Sequence, residues 1–570
     1  MKRRDVLGMG LGLGVAAASW SGEATANAGP PPGPGASRYA AAFERLDRYV
    51  AQFMAEMNAP GMTLVLADES GVQRVMDYGF EDLERRVPLR SGRLFHIGSI
   101  TKSFLGLCLV QLAEEGKLDL HRPIRDYLPW LRFDDHSRGI STHDLVTHGA
   151  ALPDGALFPA DPTLRYRATA APGQTFHYCN MGYEAMGLLL AQLDGGSLAD
   201  SFRRRLFAPL GMTASEPVIV PAIADRVATA YMARLTDRPL PRFGELARAP
   251  VMSFTSAAGC IAAPARDMGA YLTLLIRRGE GPGGRLVSPA GFAKFMARHQ
   301  PAEHFGPGAA YGYGIANDRL DGHTRLRHTG GMVAFASALE VDLDAGCGVF
   351  ASINAMQGYR PRPVAEYALR LMRACREGQP LPPVPKPAPA WQVDAAADYA
   401  GRYTATDGRV LEVMASGTRL ALLHRGERVG LEASVAGPDL FNVLHADFAL
   451  FPLAFAREAG QPAGAVVSAS WGPHCHYAPT HVGRKGLEPP AEWAAYIGEY
   501  RSEDPWIGSR RVVLREGRLW LDGVIPLEPA GGAKFFLRDE PDSPEWVAFR
   551  EVADGKAVAM TLSGLYLTRV

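Results

Sequence analysis

The sequence predicts an α+β chain in three folded parts: one large domain and, after it, two small antiparallel β-barrels. Three observations predict it. Strand-like apolar runs at both ends of the first 380 or so residues enclose a long stretch of mostly helical spacing. A proline-rich run, Gln379 to Pro389, then breaks the chain, and such runs act as stiff spacers. Beyond it the sequence repeats itself: Tyr399-Ala-Gly401-Arg-Tyr403 returns 97 residues later as Tyr496-Ile-Gly498-Glu-Tyr500. At 570 residues the chain is also too long for a single core.

The elements follow in order. Arg3-Arg4 precede an apolar, glycine- and alanine-rich run from Val6 to Trp20, and Ala26-Asn27-Ala28 supplies small residues for cleavage. This predicts a twin-arginine signal peptide over 1–28 and a periplasmic or secreted protein. The apolar run falls short of the roughly 20 residues a membrane span needs, which disfavours a retained anchor. Residues 29–37 form a Pro/Gly linker, and the large domain runs over 38–378. It opens with a helix that presents Phe43, Leu46, Val50, Phe53 and Met57 on one stripe and ends before Pro60. Met62 to Ala67 and Val72 to Tyr78 are strands joined by Asp68-Glu-Ser-Gly71. Strands around Phe335–Val341 and Gly348–Ile353, then a helix from Pro363 to Cys375, close the domain. The Pro-rich linker occupies 379–392, and the barrel repeats occupy 393–483 and 491–570. Gly417-Thr418-Arg419-Leu420 and Gly517-Arg518-Leu519 recur at matching hairpins, with Gly464 and Gly555 at later ones.

Composition excludes several functions. Lys+Arg and Asp+Glu both total 60, so no basic excess points to nucleic acid or an anionic membrane. The six cysteines are scattered without a Cys-x-x-Cys, so neither a zinc ribbon nor a redox pair is indicated. His474-Cys475-His476 alternates faces along a strand and cannot converge on one ion. No carboxylate or cysteine pattern accompanies His143 and His148, which read as structural. No phosphate loop or dinucleotide fingerprint stands out. No metal and no cofactor is expected.

The chemistry concentrates at Ser99-Ile100-Thr101-Lys102. Apolar Phe104, Leu107, Cys108 and Leu112 make Ser99 to Glu115 a helix, with Gly116 as its stop. Ser99 and Lys102 then share one face. A serine hydroxyl needs a base, and a lysine can serve once burial and nearby charge lower its pKa. Alone, the pair is no more than a capped surface helix. Two further groups stand downstream, Tyr178-Cys179-Asn180 and His328-Thr329-Gly330-Gly331.

In this order, and with Thr142 to Gly149, Asn180 to Tyr183 and Ala265 to Met268, these groups resemble the serine β-lactamase, penicillin-binding DD-peptidase, D-aminopeptidase and esterase superfamily, in its class C-like branch (the peptidase S12 type). The resemblance implies an antiparallel sheet with helices on both faces plus a helical subdomain. It implies catalytic roles for Ser99, Lys102 and Tyr178, with Lys102 and Tyr178 both open as the base. Asn180, His328, Thr329, Gly330 and Gly331 would bind substrate, with the Gly331 N–H as an oxyanion donor and the two glycines letting the strand come close to the substrate. His328 stands where most β-lactamases carry lysine, as it does in DD-peptidases and D-peptide hydrolases, which turns the expectation towards D-amino-acid peptides of the cell-wall type. A carboxylesterase, a β-lactamase and a non-catalytic penicillin- or peptidoglycan-binding protein are the alternatives. A large domain followed by two barrels looks like bacterial D-aminopeptidases, in which a barrel loop reaches the mouth of the site. Because the linker follows the closing helix, the hydrolase core is expected to be complete without the barrels.

Overall fold

Every residue of the strand Gly61–Asp68 is buried, and the alternation of its side chains shows why. Val65 and Ala67 enter one apolar core, while Met62, Leu64 and Leu66 enter another on the opposite face. A sheet covered on both sides must read as a continuous apolar run, as this one does. The computed structural model describes residues 27–28 and 36–570, except 132, 135–138, 357–359, 435, 459–463 and 539–541. The expected signal peptide, apart from residues 27–28, and most of the Pro/Gly linker lie outside the described residues.

In chain order the main helices of the large domain are α1 (Ala36–Met57), α2 (Thr101–Glu114), α3 (Thr142–Val146), α4 (Asn180–Asp194), α5 (Ala265–Ile276) and α6 (Arg362–Glu377). Its main strands are β1 (Gly61–Asp68), β2 (Gly71–Asp82), β3 (Ala316–Leu320), β4 (His323–Met332), β5 (Phe335–Asp342) and β6 (Cys347–Ile353). They form one antiparallel sheet in the order β2-β1-β6-β5-β4-β3, extended by two-residue strands to ten. Leu64 stands opposite Ala351 and Val65 opposite Phe350, so the start of the domain is zipped to its end. Helices α1 and α6 cover one face, and α2 and α5 bury the other together with the helical part of the domain.

The C-terminal third holds two closed, eight-stranded antiparallel barrels. Gly401–Thr404 pairs with His474–Tyr477 to close the first, and Gly498–Arg501 with Leu565–Arg569 to close the second. The repeated motif has a physical basis. Tyr403 donates its hydroxyl to the Tyr399 carbonyl at 2.9 Å, and Tyr500 donates to the Tyr496 carbonyl at 2.8 Å. The motif therefore clasps the turn before each barrel's first strand. Nor does the proline-rich segment hang free: Arg45 donates to the Leu381 and Pro382 carbonyls. Arg511 of the second barrel meets Asp237 of the large domain at 2.7 Å, and Glu432 of the first accepts from the Arg242 N–H at 2.5 Å.

Candidate active site

The turn that carries Ser99 is made by close backbone contact. Phe95–His96 pairs with Ala262–Ala263, after which Gly98 takes φ +55°, a left-handed value that favours glycine. Gly98–Ile100 is a 3-10 turn, and α2 begins only at Thr101. The helix expected from Ser99 therefore starts two residues later, because the turn must bend the chain against β4. Tyr271 donates to Ser103 at 2.7 Å, and Ser103 to the Ile100 carbonyl at 2.7 Å, which fixes the first turn of α2. Gly116, with φ +71°, ends that helix.

Lys102 is wholly buried. Its Nζ lies 3.1 Å from Ser99 Oγ, 2.7 Å from Asn180 Oδ1 and 2.8 Å from the Ala258 carbonyl. Burial lowers its pKa to about 7, against an opposing pull from Asp154. The geometry distinguishes its two protonation states. A carbonyl oxygen can only accept, so Asn180 and Ala258 take both N–H bonds of a neutral amine. The lone pair is then left facing Ser99 Oγ.

Tyr178 is half-buried, and desolvation pushes its phenol far above the ordinary value, opposed by a hydrogen bond with Ser99. It therefore stays protonated, with its ring 4.8 Å from Lys102 Nζ. Asn180 begins α4 and is held by a residue that no motif marked. Asp154 accepts from Asn180 Nδ2 at 2.7 Å, and from the backbone N–H groups of Asn180 and Met181 at 2.6 and 3.1 Å. A carboxylate is well placed at a helix N-terminus. His148 does more than its sequence reading suggests. Its Nδ1 accepts from the Cys179 N–H at 3.0 Å, and its ring lies 4.2 Å from that of Tyr178. The Thr142–Gly149 word thus serves this segment, with a Ser141–Asp144 capping box starting α3. The Cys179 thiol is buried and its pKa is raised well above the ordinary value, so it packs rather than reacts.

His328 is also buried, which lowers its pKa to about 3. Its Nδ1 lies 2.6 Å from the Thr329 carbonyl and its Nε2 2.8 Å from the Tyr311 hydroxyl. The carbonyl requires a proton on Nδ1, so Nε2 accepts from Tyr311 and the ring is neutral. The glycines after it serve the sheet. A Cβ on Gly330 would stand 1.9 Å from the Ile97 carbonyl oxygen, so the strand packs directly on the Ser99 turn. The hairpin from β4 to β5 has a two-residue loop, with Met332 opposite Phe335 and Gly331 opposite Ala336. Hydrogen-bonded pairs alternate outward from such a loop, so the Gly331 N–H points away from β5 towards the Ser99 turn. Consistent with this, the Gly331 nitrogen would lie 2.7 Å from a Cβ on Gly98.

These groups open into a cleft of about 270 Å3, lined by Ser99, Tyr178, Arg327, His328, Thr329 and Arg362 among others. Arg327 is engaged by Asp318 at 2.7 Å, whereas the Arg362 side chain is 43% exposed and its carboxylate neighbours lie at 3.9 Å or more. The second barrel reaches this mouth: the Trp506 ring would stand 3.8 Å from a Cβ on Gly331. Asp154, Tyr311, Arg362 and Trp506 had no local sequence signal. A three-residue group elsewhere, His424, His445 and Asp447 in the first barrel, could converge on an ion. It is already closed by a His424–Asp447 hydrogen bond at 2.9 Å and by Arg425 on the same carboxylate.

A family model described as Beta-lactamase matches residues 46–373, more than half of the chain. Protein flp of Staphylococcus aureus (strain N315) is 23% identical over 185 residues, covering 30% of this chain and 37% of that protein. A beta-lactamase of Providencia stuartii is 24% identical over 186 residues, 31% of this chain and 47% of the relative. The chain thus spans less than half the length of these curated relatives. The structure of an octameric penicillin-binding protein homologue from Pyrococcus abyssi shares the fold, with a TM-score of 0.53 at 23% identity, covering 76% of this chain and 99% of that one.

The contact at Gly330 gives a direct test. Gly330→Ala has no space for its methyl group and must move β4 off the Ser99 turn. It is expected to slow covalent labelling of Ser99 by a fluorophosphonate by roughly 100-fold, since displacements near 1 Å carry such penalties. The rate constant for labelling measures the effect.

Proposed function

The chain belongs to the Beta-lactamase family and is a serine hydrolase, and on that premise we propose that it forms an acyl-enzyme at Ser99 on amide or ester substrates. We propose D-amino-acid peptides as the substrate class, in the manner of a D-aminopeptidase or DD-peptidase, and export as the route by which the protein meets them. One observation carries the chemistry: a buried amine 3.1 Å from Ser99 Oγ, with both N–H bonds of its neutral form already taken by carbonyl oxygens.

The residues then have defined tasks. Neutral Lys102 takes the Ser99 proton as Oγ bonds to the substrate carbonyl carbon. The N–H groups of Ser99 and Gly331 hold the oxygen that becomes negative. Tyr178, kept protonated, gives its proton to the departing nitrogen or oxygen as the scissile bond breaks, and the Lys102 ammonium returns one to it. Water then takes the place of the leaving group and frees Ser99. Asn180 holds Lys102 on one side and is free to bind the substrate amide only through the capacity its Asp154 partner leaves.

For the substrate, neutral His328 offers no fixed charge to a β-lactam carboxylate, and Thr329 keeps its hydroxyl exposed in the cleft. The Arg362 guanidinium is the less engaged cation of the lining and suits a peptide carboxylate. The small cleft and Trp506 over Gly331 support short substrates and a gating role for the second barrel. Export by the twin-arginine route is supported by Arg3-Arg4 ahead of a weakly apolar run. Among the described residues no helix is long and apolar enough to cross a membrane.

Two measurements test the acylation chemistry. A fluorophosphonate or penicillin probe should add one label, absent in Ser99→Ala. Because neutral Lys102 is the base and its pKa is about 7, the acylation rate should fall about tenfold per pH unit below 7 and level off above it. His328, with a pKa of about 3, adds no second inflection there. Labelling that persists in Ser99→Ala would end the reading.

A panel of D-Ala-D-Ala peptides, D-amino-acid amides, short acyl esters and a chromogenic cephalosporin ranks the substrates by kcat/KM. Within that panel Trp506→Ala should raise kcat/KM for bulky esters relative to short ones, and an unchanged ratio argues against the gate. For export, Arg3→Lys/Arg4→Lys should hold the precursor in the cytoplasm while blocking the general secretory route does not. Normal export of the double variant would refute the twin-arginine assignment.

A further inference from the structure

One carboxylate of the second barrel reaches the framework of the site. Glu545 stands just before the strand Trp546–Ala553. Its Oε1 accepts from the Asp154 backbone N–H at 2.6 Å and meets His177 Nε2 at 2.8 Å. Its Oε2 accepts from the Ser563 hydroxyl at 2.5 Å. The Glu545 and His177 side chains are only 17% and 15% exposed. Burial alone would raise the Glu545 pKa, but the bonds from His177, the Asp154 N–H and Ser563 outweigh it and leave it below its ordinary value. The glutamate is therefore held as an anion in a nearly closed interface.

Its two partners flank one segment. His177 directly precedes Tyr178 in the chain. Asp154 holds the Asn180 amide and the first N–H groups of α4, and Asn180 Oδ1 in turn receives Lys102 Nζ. Glu545 thus secures the Tyr178–Asn180 segment at both ends. The surrounding contact is closely fitted. A Cβ on Gly155 would lie 2.1 Å from the Ser563 carbonyl oxygen, and one on Gly564 would lie 2.4 Å from the Tyr166 hydroxyl. Tyr166 also bridges the two parts, donating to the Ala156 carbonyl at 2.7 Å and lying 3.3 Å from that of Ser563. Without the barrel, the Asp154 N–H and the His177 ring would lose their partner beside the site. The expectation of a hydrolase core complete without the barrels does not include these contacts between the barrel and the framework of the site.

We propose that Glu545 is a positioning residue for acylation: through His177 and Asp154 it sets Tyr178 and Asn180, and through Asn180 the Lys102 amine, against Ser99. This rests on the reading of Ser99 as nucleophile and Lys102 as its base. The competing account is a docking contact that only joins two domains. Arg511 supplies the comparison, because it ties the same barrel to Asp237 and bonds to no residue of the 177–180 segment.

The test uses the full chain as wild type, Glu545→Ala, Glu545→Gln, Arg511→Ala and Ser99→Ala. It measures the rate constant for fluorophosphonate labelling, kcat and KM for p-nitrophenyl acetate, and Tm. Glu545→Ala is expected to lower the labelling rate and kcat by roughly 10- to 100-fold with KM within about threefold, as loss of alignment rather than of binding predicts. Glu545→Gln keeps an acceptor for the Asp154 N–H and the side chain's shape. It should fold even if the alanine variant does not, and should fall between wild type and Glu545→Ala, at least about threefold below wild type. Arg511→Ala should keep the wild-type rate. Wild-type rates in Glu545→Gln, or an equal loss in Arg511→Ala, would overturn the proposal alone. Labelling of Ser99→Ala at the wild-type rate would instead overturn the reading of the site, and the proposal with it.

Discussion

The buried amine of Lys102 is the constraint on which the rest of the structure depends. An ammonium with no solvent contact is costly to hold, so the site either pairs it or lets it lose its proton. Here it has no close carboxylate partner among its hydrogen bonds, only two carbonyl oxygens and a serine hydroxyl. That choice of acceptors matters. A directly bonded carboxylate would keep the lysine charged at neutral pH. Asp154 stands one residue further out, bonded to Asn180 instead. Its charge reaches Lys102 at a distance and partly offsets the desolvation, which keeps the pKa near 7 rather than lower.

Placing such an amine beside a serine also demands a rigid floor beneath both. The left-handed Gly98, the absent side chain of Gly330 and the contact of Gly314 with the Lys102 carbonyl bring three stretches of backbone closer than any Cβ would permit. Backbone N–H groups packed this way cost no side-chain reorganisation when charge develops near them. The two-residue loop that begins after Met332 sets which amides face the neighbouring strand and which face the cleft.

Much of this was legible in the sequence because it is local or repeated. Ser99 and Lys102 lie one helical turn apart, and the nearly continuous apolar run in Met62 to Ala67 marks a strand. The tyrosine pairs 399/403 and 496/500 announce the barrels through a bond that spans four residues. The start of α2 was misplaced by two residues, since apolar spacing cannot show the backbone contact that forces a 3-10 turn. What escaped entirely was long-range. Asp154 lies in a stretch with no periodicity, and its backbone partner Glu545 is 391 residues away. His148 looked structural because its role, holding the Cys179 N–H and flanking Tyr178, needs a partner 31 residues on. No spacing rule reaches such pairs; only the closed fold brings them together.

Two histidines beside the site show how the same residue type is turned to different uses. His328 donates from Nδ1 to a carbonyl and accepts from Tyr311 at Nε2, so both nitrogens are satisfied in the neutral ring. His177 meets the Glu545 carboxylate at 2.8 Å across a domain boundary. One is a fixed neutral wall of the cleft and the other an anchor for the loop leading into Tyr178. If His328 carried charge, it would repel Lys102 across the site, a repulsion already visible as one of the causes lowering its pKa. A neutral wall therefore protects the basicity balance at Lys102. The remaining cation of the lining, Arg362, lies further out and half-solvated, where its charge is screened from the Lys102 amine.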